Sequence, residues 1–76
     1  MSDADEAHAT GVIPMANQIA GFFLSQGDPA AAVAGAADHI KAFWAPVMRR
    51  ELLALVDSGK AGGLSDVARE AILRLR

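Results

Sequence analysis

The chain has no cysteine. That excludes disulfide staples, thiolate zinc sites and cysteine-ligated iron–sulfur clusters within it. Its two histidines, His8 and His39, are too far apart in sequence to form a metal motif. No apolar run approaches the ~20 residues that a membrane-spanning helix needs. The first ten residues hold Asp3, Asp5 and Glu6 but no Lys or Arg, the reverse of a signal peptide. These absences predict a soluble, cytoplasmic chain without membrane contact. At 76 residues it is one domain at most. A core this small rarely supplies more than a few kcal/mol of net stability, which raises the chance that the chain leans on a partner.

Charge is also unevenly missing. The formal net charge is −2, but the first ten residues contribute −3 of it. Residues 11–76 hold seven basic and six acidic groups and sum to +1. A nearly neutral folded part argues against nucleic acid as a partner, because binding to phosphates needs a clustered basic surface. From Ala7 to Gly27 there is no Asp, Glu, Lys or Arg at all.

What is present is helix-forming. Seventeen residues are Ala, β-branched residues are few and no stretch alternates with period two. The spacing predicts an all-α fold: a small bundle of about four short helices behind a disordered acidic N-terminal tail. Met1–Thr10 carries the tail's acidic character; residues 1–12 are assigned to the tail and 13–76 to a single helical domain. The first helix is expected from about Pro14 to Ser25, stopped by Gly27. Asp28-Pro29 starts the second, which runs to about Trp44. Pro46 disfavours helical geometry at Ala45 and forces a break. A third helix spans roughly Pro46–Ser58 and closes at Gly59. Ser65 caps a fourth over Asp66–Leu75, with Asp66 and Glu70 near its start and Arg74 and Arg76 near its end, as the helix dipole prefers.

The helix faces carry more apolar surface than one core contact needs. On the second helix Val33, Ala37, Ile40 and Trp44 form one stripe, and Ala32, Ala36, His39 and Phe43 form another beside it. On the first, Ile13, Met15, Ile19, Phe22, Phe23 and Leu24 surround a polar side of only Asn17, Gln18, Gly21 and Ser25. An uncharged helix is either central in its bundle or covered by a partner. The third helix has a core stripe of Met48, Leu52, Leu55 and Val56, while Leu53 points to the side of Arg49. Arg50 and Asp57 share an outward, solvated face. Aromatic and Arg side chains dominate binding energy at interfaces. The expected partner interface is therefore Phe22, Phe23, His39, Phe43, Trp44, Met48, Arg49 and Leu53.

No constellation points to catalysis. Asp38 and His39 are neighbours on a helix, so they point about 100° apart and cannot form a dyad. No Ser stands at a spacing that makes a nucleophile–base pair. His39 is expected to make a structural hydrogen bond, within the chain or to a partner. Gly59, Gly62 and Gly63 lack phosphate-loop spacing and a preceding strand. Leu64-Ser65-Asp66 reverses the Asp-Ser-Leu order of acyl carrier proteins. The break at Ala45-Pro46 lacks the glycine turn of a helix-turn-helix DNA binder, although a small regulatory, nucleic-acid-binding protein stays open as an alternative.

Three segments are specific. They are Pro14-Met15-Ala16-Asn17-Gln18-Ile19-Ala20-Gly21-Phe22-Phe23, then Asp38-His39-Ile40-Lys41-Ala42-Phe43-Trp44-Ala45-Pro46-Val47-Met48-Arg49-Arg50, and then Gly62-Gly63-Leu64-Ser65. From about Met15 to Ile72 the chain resembles the delta subunit of NAD-dependent formate dehydrogenase, the soluble molybdenum-containing type. The His-x-x-x-Phe-Trp-x-Pro-x-Met-Arg pattern beginning at His39 is its most specific part. The resemblance implies a non-catalytic accessory subunit that holds together an enzyme oxidising formate to carbon dioxide while reducing NAD. It implies that this chain binds no cofactor. In that family, bis-pterin molybdenum or tungsten and iron–sulfur clusters belong to the alpha subunit, FMN and the NAD site to beta, and a further cluster to gamma. The alpha subunit is the expected partner, with beta and gamma in the same complex. A transient assembly or cofactor-insertion factor for that enzyme is the alternative role.

Overall fold

The computed structural model describes residues 11–76; the acidic segment before Gly11, and the expectation of disorder there, lie outside the described residues. Four helices follow one another: α1 (Val12–Leu24), α2 (Pro29–Phe43), α3 (Pro46–Asp57) and α4 (Asp66–Leu73). Helix α1 starts two residues ahead of the expected Pro14, and its first residue, Val12, is buried in the core. Residue 12 therefore belongs to the bundle rather than to a tail. Pro14 is tolerated because the first backbone N–H groups of a helix have no intrahelical acceptor anyway.

The other boundaries follow local chemistry. The Asp28 carboxylate accepts from the Ala31 N–H at 2.8 Å, and Pro29 occupies the first position of α2. Trp44 and Ala45 are both extended, with ψ of 140° and 147°, and Pro46 opens α3. Helix α3 closes on Gly59, whose φ of +75° is the left-handed conformation that glycine adopts without cost. The Lys60 N–H reaches back to the Leu55 carbonyl at 2.8 Å and the Gly59 N–H to that of Val56 at 3.2 Å. The Ser65 hydroxyl accepts from the Ala68 N–H at 3.2 Å and caps α4, which ends at Leu73 rather than Leu75.

Helix α1 packs against α2 and α4, and α2 packs along α4. Helix α3 lies on α4 and α1 rather than chiefly on α2, its neighbour in sequence. Ile40, Leu52 and Ile72 are the largest fully buried side chains, and eight of the fifteen buried apolar residues are Ala. On α1 the buried edge is Val12, Ala16 and Ala20, not the larger Met15, Phe22 and Leu24, which are exposed. Small side chains let helix backbones approach closely, so the alanine edge faces inward and the bulky residues are left outside. The first stripe of α2, Val33, Ala37, Ile40 and Trp44, is buried along its whole length. The second stripe is split: Ala32 and Ala36 are buried, His39 is half-buried and Phe43 is exposed.

Asn17 ties α1 to the loop before α4. Its side-chain amide donates to the Gly63 carbonyl at 2.8 Å, and its Oδ1 accepts from the Ser65 N–H at 2.8 Å. Two of the three motif segments named above thus meet in space. Asn17→Ala is expected to cost about 1–2 kcal/mol, because two loop groups lose their partner but stay within reach of water. Amide hydrogen exchange checks it: Ser65 should exchange faster in the variant while the Ile40 amide keeps its protection relative to global stability.

Two helical glycines differ sharply. A Cβ on Gly21 meets nothing within 4 Å, whereas one on Gly35 would stand 2.5 Å from Phe23 Cδ1 and 3.0 Å from its Cγ. Gly21→Ala should raise stability by about 0.5–1 kcal/mol through helix propensity alone. In Gly35→Ala the same gain is offset by about 1–3 kcal/mol of overpacking, because the ring is struck near its root. Thermal melts of the two variants should move in opposite directions.

Candidate partner-docking face

The sharpest surface feature is a row of rings. Phe22 and Phe23, at the end of α1, meet edge to face with centroids 5.1 Å apart and planes at 84°. Phe23 faces His39 of α2 at 6.2 Å, and His39 faces Phe43 at 4.8 Å. Phe22 is 59% exposed and Phe43 is 75% exposed, so both ends of the row stand in water. Phe23 and His39 between them are half-buried. With Gln18 and Ile19, three of these rings line a shallow groove of about 270 Å³.

Local structure places each ring. Gly35 leaves the space on α2 into which the Phe23 ring is laid. His39 and Phe43 are four residues apart and therefore stack on one helix face. Among the described residues the His39 ring makes no hydrogen bond and contacts the two phenyl rings.

Of the eight residues expected at a partner interface, the structure brings four together in this row: Phe22, Phe23, His39 and Phe43. Trp44 does not join them. It is only 7% exposed and belongs to the core with Val12, Ile40, Leu52 and Ile72, so its placement at a surface is corrected. Helix spacing puts Trp44 on the stripe of Val33, Ala37 and Ile40, and that stripe is buried; only the preference for aromatic anchors at interfaces placed it outside. Met48 and Leu53 are half-buried and pack against the same core. Arg49 is half-buried and donates to the Lys41 carbonyl at 3.3 Å, linking the start of α3 to the end of α2. Sequence reasoning missed Val47, which is 60% exposed beside Pro46.

Among the described residues no three His, Asp or Glu side chains come together as a metal site. The sequence has no cysteine to ligate an iron–sulfur cluster, and His39 lies between phenyl rings. Among the described residues, no helix is long and apolar enough to cross a membrane.

Fold and face together define a small all-α chain with Trp44, Ile40, Leu52 and Ile72 buried and Phe22 and Phe43 exposed. Comparison with protein families gives the more particular answer: residues 11–72 match the family described as NADH-dependant formate dehydrogenase delta subunit FdsD. The chain belongs to that family. Neither the curated proteins nor the solved structures gave a match.

Proposed function

We propose that the chain is a non-catalytic subunit that stabilises the quaternary structure of an NAD-dependent formate dehydrogenase, docking through its aromatic row onto another subunit. The alpha subunit is the partner we expect, with beta and gamma in the same cytoplasmic complex. The bis-pterin metal, iron–sulfur clusters, FMN and NAD are expected in those other subunits. The observation that carries the reading is the exposure of Phe22 and Phe43 on a chain whose buried core already holds Trp44, Ile40, Leu52 and Ile72. Exposed aromatics gathered in one place mark interaction surfaces, because leaving them in water forgoes burial worth about 1.5–3 kcal/mol each. Family membership supplies the kind of assembly in which they would be covered.

Co-expression of the tagged chain with the remaining subunits tests this. The chain should elute with active enzyme at a constant ratio through successive columns. Active enzyme that lacks the chain would overturn the subunit reading and leave a transient assembly role.

A further inference from the structure

The near-neutral charge of the folded part hides a separation of charge within it. Asp66 and Glu70 border a groove with Pro29 and Val33, at the start of α2. At the other end of that helix, Lys41, Arg49, Arg50, Arg74 and Arg76 border one cleft of about 390 Å³. Pro46, Leu53 and Leu75 supply its apolar lining. The sequence alone did not show this cluster, because its members come from three helices' ends.

Among the described residues a single carboxylate answers these five cations: Asp57, paired with Arg76 at 2.6 Å. Arg49 is engaged by the Lys41 carbonyl. Arg50 and Arg74 are exposed and, among the described residues, have no acidic partner. Helix dipoles account for part of the cluster, since Lys41 and Arg74 stand at the C-terminal ends of α2 and α4. They do not account for Arg49 and Arg50, which stand near the N-terminus of α3, where the dipole disfavours cations. Holding like charges together in that place costs the free chain stability.

We propose that this cleft docks an acidic, amphipathic segment of a neighbouring subunit, its carboxylates pairing with Lys41, Arg50 and Arg74 while an apolar side chain rests on Pro46, Leu53 and Leu75. This rests on the subunit reading above and names the chemistry of the partner. The five cations come from the ends of three helices and share the cleft with Pro46, Leu53 and Leu75, a number of charges and a mixed lining that suit a peptide bearing several carboxylates and an apolar side chain.

The test uses the full chain with Arg50→Glu and Arg74→Glu together, compared with Phe22→Ser and Phe43→Ser together. Each is assayed for retention in the co-expressed complex and for binding a labelled synthetic peptide of alternating glutamate and leucine. The charge reversal should weaken both by at least about tenfold, and the wild-type binding should weaken as salt rises. The phenylalanine variant should keep peptide binding and lose the complex. If the charge-reversed chain stays in the complex while the phenylalanine variant leaves, the cleft proposal falls and the subunit reading stands. If both variants stay in the complex, both fall. Displacement of the peptide by stoichiometric inorganic pyrophosphate would make the cleft a small-anion site and overturn the proposal. So would peptide binding that emerges only after Asp3→Asn, Asp5→Asn and Glu6→Gln, with retention insensitive to charge reversal, since the chain's own acids would then be the occupant. Circular dichroism of each variant keeps loss of fold distinguishable from loss of contact.

Discussion

Trp44→Ala is expected to unfold the isolated chain. The indole is buried with Val12 of α1, Ile40 of α2, Leu52 of α3 and Ile72 of α4 in one cluster, so its removal opens a cavity where all four helices contribute. Truncating a buried Trp to Ala costs about 3–5 kcal/mol. A domain of this size rarely holds more than about 3–5 kcal/mol of net stability. The loss is therefore comparable to the whole, and collapse to a frayed or molten state is the expected result rather than a modest shift in melting temperature. Far-ultraviolet circular dichroism should show most helicity lost at 25 °C. Retained helicity with a cooperative melt would mean that the indole is not the centre of the core. Within the assembled complex the same variant should be partly rescued, because binding a partner stabilises the folded form by mass action.

Phe22→Ser with Phe43→Ser should do the opposite. Both side chains are more than half exposed, so stability should change by no more than about 0.5–1 kcal/mol, and the melt should move by only a few degrees. Association should fall far more. Truncating an interface hot spot costs at least about 2 kcal/mol, and two such losses correspond to roughly a thousandfold in affinity. The pair of neighbours Phe43 and Trp44 thus becomes a clean contrast: one substitution removes the fold, the other removes the contact. Gel filtration of the variant complex, followed by formate-dependent reduction of NAD, measures the second. The expected outcome is a chain-depleted enzyme whose activity decays faster on storage than that of the intact complex. If the variant binds as tightly as the wild type, the aromatic row is not the docking surface.

Much of the fold was legible because its signals are local. Asp28 with Pro29, Ser65 before Asp66, Gly59 after Ser58 and the proline break at Ala45 each act over three or four residues, and each lies where the sequence predicts it. The buried stripe of α2 was legible too, since 3.6-residue periodicity is a property of the helix itself. Two things were not. Hydrophobicity ranks Phe22 and Met15 above Ala16 and Ala20, yet the alanines are the buried ones. Close helix approach, a property of the assembled bundle, overrode side-chain size. The joining of Asn17 to Gly63 and Ser65 spans 46 and 48 residues, and no local pattern reports a contact of that separation. For the candidate site, periodicity identified His39 and Phe43 as one face, and the aromatic count identified Phe22 and Phe23. Trp44 was misplaced because its aromatic type was taken as the mark of an interface, although helix spacing put it on the buried stripe of Val33, Ala37 and Ile40. The basic cleft stayed hidden for the same reason as the Asn17 contact: it exists only once the ends of α2, α3 and α4 are brought together.

Hydroxyl-radical footprinting of the purified complex and of the free chain tests the docking claim most directly. Phe22 and Phe43 should be oxidised readily in the free chain and protected in the complex, while buried Trp44 stays weakly oxidised in both. Equal oxidation of Phe22 and Phe43 in the two states, in a sample where the chain is demonstrably bound, would contradict the account.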